Sequence, residues 1–120
     1  MELTLAHEQL DVWRLAMELV IKIYQMTKCF PSHEQFGLTA QLRRAAVSVP
    51  ANIAEGKGRY HRKEFIQFLY NARGSLYEVL TLLKLALELE YLNEREHETV
   101  VQLSKRVLGK LSGLINALKG

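Results

Sequence analysis

A chain of 120 residues and 13.8 kDa fits a single domain, and its 48% hydrophobic and 24% charged residues are the ordinary balance of a globular protein. Only two prolines and seven glycines weigh against a turn-rich β architecture, and the lone cysteine, Cys29, excludes an internal disulfide. A formal charge of +3 with a pI near 9.1 is too mild for a surface that tracks nucleic acid everywhere, so where the charges sit matters more than their sum.

Leu10, Trp13, Met17, Val20, Tyr24 and Thr27 recur at steps of three and four, which predicts an amphipathic first helix running to about Lys28. Pro31 stops it. Ser32 to Gln35 reads as a capping box, the Ser32 hydroxyl and the Gln35 side chain satisfying free amides reciprocally, and Gly37 leaves the start of the second helix unset to within a turn.

The second helix carries three faces. Leu38, Leu42, Ala45, Ala46, Val49 and Ile53 form an apolar seam, and Gln41, Arg44, Ser48, Asn52 and Glu55 form a polar ladder roughly opposite. Ala40, Val47, Ala51 and Ala54 form a small apolar patch beside the ladder. Pro50 deletes an amide donor and crowds the carbonyl of Ala46, at a cost of about 3 kcal/mol in a helix interior. The helix must kink or break there. Because the seam stays in phase from Val49 to Ile53, and Ser48 or Asn52 can satisfy local polar groups, a kink at Pro50 is expected.

Gly56 and Gly58 permit the left-handed conformation that ends helices, so the second helix should terminate around Gly56 to Arg59. A third helix follows from about His61, with Phe65, Leu69, Ala72, Leu76, Val79 or Leu80, Leu83 and Leu87 on its seam and a length of roughly 40 Å. Asn93 and Glu96 are spaced as a second capping box, before Val100, Leu103, Val107, Leu111, Leu114 and Leu118 mark a fourth helix. Short links make neighbouring helices antiparallel. The expected fold is therefore all-α, an up-down-up-down four-helix bundle spanning residues 1–120, with helices crossing at roughly 20°.

The segment from Lys57 to Lys63 holds Lys57, Arg59, Arg62 and Lys63 with Tyr60 and His61, and contains no acid. It is the candidate phosphate contact: cations neutralise phosphates, Tyr60 can stack on an unpaired base, and the glycines let the backbone approach. A solvated turn before a helix explains the same residues. Glu88, Glu90, Glu94, Glu96 and Glu98 cluster in and after the third connection, so charge is segregated by loop. In an up-down bundle the basic connection shares its end with the termini, including Lys119, and the molecule is expected to be electrically polar along its length.

Gln41, Arg44, Val47, Ser48, Ala51, Asn52 and Glu55 are candidates for a polar network at a subunit interface, since an exposed helix seldom pairs a polar ladder with a clean apolar stripe unless something covers it. Arg73 joins them as a flank residue of the third helix, with Glu55 as its candidate ion-pair partner. His7, His33, His61 and His97 are scattered, and neither Cys29 nor any serine has a persuasive histidine and carboxylate spacing. Glu94 and His97 match one Glu-x-x-His pair, but a metal bundle needs two such pairs and further carboxylates. Trp13 reads as core. These residues predict no enzyme, cofactor or metal. The first residues, Met1 to Leu5, lack a charged-then-apolar leader, and Lys22 and Lys84 interrupt the most apolar stretches, so no membrane partner and a cytoplasmic location are expected.

Leu10 to Trp13, Ala16 to Val20, the long block from Phe36 to Gly56, Gly58 with Arg59, Glu64 with Phe65, and Ala72 to Ser75 form a set of motifs. Together they resemble the four-helix bundle family of 23S rRNA intervening-sequence proteins, which includes relatives of the accessory variability determinant of diversity-generating retroelements. The resemblance implies a bacterial, non-enzymatic bundle that assembles into a ring, typically a homopentamer, and associates with RNA or DNA. It also implies, through the retroelement relatives, a reverse transcriptase as a partner. Two positions depart from the family pattern: His61 stands where Ser or Thr usually caps the third helix, and Glu90 stands where glycine commonly precedes Tyr91 and Leu92. The leading expectation is an oligomeric adaptor that contacts RNA. The alternative is a protein-interaction scaffold without a nucleic-acid role.

Overall fold

The structure is a computed structural model that describes residues 5–120. It contains α1 (Asp11–Thr27), α2 (Leu38–Lys57), α3 (Arg62–Glu88) and α4 (Glu94–Lys119), with 3-10 turns at Ala6–Gln9 and Ser32–Glu34. No strand occurs among the described residues. The expectation of a missing leader concerns residues that lie mostly outside this range.

Each helix packs on two neighbours. α1 and α3 both pack on α2 and α4, which leaves α1 and α3 diagonally opposed. Side-chain pairs fix the directions: Arg43 donates to Thr27, Ser48 bonds Ser75, Arg73 donates to Ser112 and Lys119 donates to Tyr70. Advancing along one helix therefore means retreating along the next, which is the antiparallel up-down-up-down bundle that short connections dictate. Leu19, Ile23, Leu42, Ile53, Leu69, Leu76, Leu83, Leu111 and Ile115 fill its axis, each less than 2% exposed. Each such side chain contributes roughly 1.5–3 kcal/mol through apolar surface removed from water.

The seams of α2 and α3 follow the sequence pattern closely. On α4, Val100, Val107 and Leu111 are buried as expected, while Leu103, Leu114 and Leu118 are half-buried. Ile115 and Ser104 complete the buried row there, and the Ser104 hydroxyl donates to the Val100 carbonyl. The seam of α1 differs more. Val12, Leu15, Ala16, Leu19, Val20 and Ile23 face the core, while Leu10, Trp13 and Met17 are half-buried and Tyr24 is exposed. Two apolar rows on α1 satisfy the three-and-four spacing, and packing selects the row of smaller side chains. Trp13 then packs against the edge of the core, and Tyr24 lies at the rim.

The connections depart most from the sequence pattern. Ser32 caps nothing, because the chain tightens into a 3-10 turn after Pro31 and the first free amide of α2 falls at Leu38. Glu34 supplies the cap instead: Oε1 accepts from the Leu38 amide at 3.0 Å, and Oε2 accepts from the Tyr91 hydroxyl at 2.8 Å, tying the first connection to the third. The Leu38 amide, then the Tyr91 phenol, hold the Glu34 carboxyl below its ordinary range, and the same hydrogen bond to Glu34 pushes the Tyr91 phenol up.

Neither Gly56 nor Gly58 is left-handed; Gly58 has φ −78°. Gly56 is helical and buried, and a Cβ there would lie 2.6 Å from Phe68 Cβ and 3.0 Å from Phe65 Cδ1. Its role is close approach of α2 to α3, not chain reversal. The left-handed residue is Glu90, with φ 64°. The Glu90 amide donates to Leu87 and the Tyr91 amide to Ala86, both at 2.9 Å, which is the hydrogen-bond pair of a Schellman cap. Asn93 and Glu96 form the predicted capping box, with bonds of 2.8 and 3.0 Å. α2 runs unbroken through the buried Pro50.

Candidate nucleic-acid interface and assembly face

Lys57 closes α2, while Arg62 and Lys63 open α3, so the predicted basic residues gather at one end of the bundle and are all exposed. Cations oppose the positive pole of a helix N-terminus, and the cap residue His61 makes no side-chain hydrogen bond to relieve it. Local helix chemistry is thus set against itself at this spot, leaving free amides and free cations together, an arrangement that suits an anion. Among the described residues, Lys57, Arg62 and Lys63 have no carboxylate within ion-pair distance.

Arg59 is held differently. Its Nη2 pairs with Glu55 Oε1 at 3.0 Å, and its guanidinium stacks 4.9 Å from the Phe68 ring centroid. Lys57 Nζ sits 5.7 Å from the Phe65 ring. Tyr60 is 94% exposed, its ring edge-on to His61 at 4.9 Å, so a flat apolar face stands among the cations. The acidic residues Glu88, Glu90, Glu94, Glu96 and Glu98 are exposed where α3 ends and α4 begins, at the far end of the molecule.

The polar ladder of α2 divides in two. Ser48 and Ser75 hydroxyls meet at 2.8 Å, and Asn52 Nδ2 donates to the Ser48 carbonyl and hydroxyl at 2.8 and 3.0 Å, so these three residues join α2 to α3 within one protomer. Gln41, Arg44 and Glu55 do not join this network, and all three stay exposed at the helix surface. Arg73 does not meet Glu55: it lies on the opposite flank of α3, donating to Ser112 Oγ at 3.5 Å, while Glu55 pairs with Arg59 one turn away in sequence. The local ion pair at i, i+4 forms without spanning a helix interface, and so it wins.

The outer face of α2 remains open. Val47 is 42% exposed, Ala51 is exposed, Ala40 and Ala54 are half-buried, and Phe36, just before the helix, is 90% exposed. Phe36, Ala40 and Val47 line a shallow groove of about 680 Å³ with Tyr24, Arg43 and Arg44. Arg43 also clamps α1: Nε donates to Thr27 Oγ1 at 2.8 Å, and its guanidinium stacks 4.5 Å from the Tyr24 ring. Sequence periodicity does not flag Phe36, which precedes the helical run, nor Arg43, whose partners lie on another helix.

No group of three or more His, Cys, Asp or Glu side chains among the described residues is placed to hold a metal ion. Glu94 and His97 begin α4 beside the capping box. Among the described residues, no helix is long and apolar enough to cross a membrane.

A family model described as 23S rRNA-intervening sequence protein matches residues 8–113. A crystal structure of a protein of unknown function from the S23 ribosomal protein family of Bacteroides thetaiotaomicron superposes with a TM-score of 0.81 at 24% identity. The match covers 88% of this chain and 95% of that one, and at this identity it shows the fold. No curated protein matches.

Proposed function

The chain belongs to the 23S rRNA-intervening sequence protein family, and from that membership we propose that it is a non-enzymatic, self-assembling helical adaptor whose basic end contacts RNA. The observation that carries the nucleic-acid reading is the convergence of Lys57, Arg62 and Lys63 with the exposed Tyr60 ring at the first turn of α3, where nothing acidic pairs with them among the described residues. Cations there neutralise phosphates, and Tyr60 offers a stacking face to an unpaired base.

The open stripe of Phe36, Ala40, Val47 and Ala51 supports self-assembly, since an apolar strip along a helix is covered by another surface in most proteins that carry one. A two-fold contact through this stripe would set Arg43 and Arg44 against their own copies. A head-to-tail contact avoids that repulsion, and it closes into a ring when the rotation between neighbouring copies divides a full turn. Five subunits is the count the family resemblance implies. A ring collects one basic end per subunit on the same rim, so weak sites act together on one strand.

The experiment is binding of single-stranded RNA to the wild type and to the Lys57→Gln, Arg62→Gln, Lys63→Gln triple variant at several salt concentrations. The variant should bind more weakly with a shallower salt slope, by roughly 0.7 for each phosphate of a single strand that is no longer neutralised. Equal affinity and equal slope would remove this loop as the contact. If the wild type assembles but shows no salt-dependent RNA retention, the apolar stripe favours the second reading, a protein-interaction scaffold.

A further inference from the structure

We propose that α3 and α4 form a binding site for a phosphate group, separate from the basic loop and built from Tyr70, Arg73, Ser112 and Lys119. Lys119 Nζ donates to the Tyr70 hydroxyl at 3.1 Å and lies 5.7 Å from the ring centroid, while the Arg73 guanidinium stacks on the same ring at 4.8 Å. Arg73 Nη1 also donates to Ser112 Oγ at 3.5 Å. Two cations and the Ser112 hydroxyl, drawn from two helices, therefore gather about the Tyr70 phenol.

None of the ion pairs among the described residues includes Arg73 or Lys119. Cations gathered on one ring repel each other, and the ring's electron density offsets only part of that repulsion. The hydrogen bond from Lys119, with the charges of Lys119 and Arg73, holds the Tyr70 phenol below its ordinary range. Arg73 is half-buried, so its planar fork is already positioned, and one bond to Ser112 leaves most of its five N–H donors free. The cluster thus offers a guanidinium fork, an ammonium and two hydroxyls within reach of one ring. A tetrahedral oxyanion accepts from all of them, and Arg recognises such groups with two parallel bonds.

The ligand is a phosphoryl oxyanion, either free phosphate or one phosphate of a nucleic-acid strand. Backbone amide shifts of 15N-labelled full-length protein, titrated at constant ionic strength, separate the two. The probes are inorganic phosphate, a single-stranded uridylate oligonucleotide, and acetate as control. Saturable shifts at Tyr70, Arg73, Ser112 and Lys119 are expected with phosphate or the oligonucleotide and not with acetate. Saturation by inorganic phosphate identifies a free-phosphate site, and saturation by the oligonucleotide alone identifies a phosphodiester contact. Arg73→Gln should weaken binding at least tenfold. Lys119→Gln, at an exposed helix end, should weaken it in the same direction without threatening the fold, and the triple variant of the basic loop should leave inorganic phosphate binding at these amides unchanged. Absence of saturable shifts with both phosphorylated probes, or equal affinity in Arg73→Gln and the wild type, would overturn the proposal.

Discussion

Replacing Glu90 by glycine should stabilise the protein, because glycine is the residue that the left-handed position of a helix cap favours. Glu90 occupies the left-handed position of the cap on α3, with φ 64°. Its side chain makes no hydrogen bond or ion pair among the described residues, and its carboxylate stands at the negative pole of the helix. A side chain costs roughly 1–2 kcal/mol in that conformation. Glycine returns about 0.4–1 kcal/mol of this through the greater freedom of the unfolded chain. The net gain is about 0.5–1 kcal/mol, and at roughly 2.1 cal/mol/K of unfolding entropy per residue it raises Tm by about 2–4 °C. Urea and thermal melts at matched protomer concentration measure it, because assembly makes Tm depend on concentration. Glu90→Ala keeps the Cβ and the strain, so it should stay within about 0.5 kcal/mol of the wild type. If Glu90→Gly melts no higher than Glu90→Ala, the strained-cap reasoning is wrong.

Gly56→Ala gains helix propensity of up to about 1 kcal/mol but pushes a methyl group into Phe68 and Phe65, and overpacking of about 1–3 kcal/mol should win. A lower midpoint in urea is the expected result. Glu34 gives a pH signature: its carboxyl is held below the ordinary value of 4.5, so its stabilisation is complete above that value and is lost as pH falls through the lower folded-state value. Acid melts of Glu34→Gln should therefore show a shallower decline below about pH 4.5 than the wild type, and parallel curves would contradict the cap assignment. In RNA binding, Arg59→Gln alone should change the salt slope less than Arg62→Gln, because Glu55 already neutralises Arg59. Equal slopes for the two variants would show that the Glu55 pair opens on binding.

The bundle is legible in the sequence because the three- and four-residue spacing on α2, α3 and α4 fixes the centre of each buried row. α1 offers two rows, and only packing against α2 and α4 decides between Val12, Leu15 and Leu19 on one side and Trp13 and Tyr24 on the other. Local capping at Asn93 is readable because both partners lie within four residues. The Glu34 cap is not, since half of it depends on Tyr91 from a connection more than fifty residues away. The same limit governs the sites. The basic segment is contiguous and stands out, whereas the cluster of Tyr70, Arg73, Ser112 and Lys119 exists only once α3 and α4 are antiparallel. Spacing places Arg73 on a helix flank, but which neighbour that flank meets is decided by the packing of α4.

Self-association through the outer face of α2 is the claim on which the shared basic rim depends. Sedimentation equilibrium of the full chain measures it directly. The account predicts a wild-type mass five-fold that of the 13.8 kDa protomer, and a fall to the protomer mass when Val47→Glu places a charge in the apolar stripe with helical content intact. A folded wild-type protein that sediments as a single 13.8 kDa chain would contradict it.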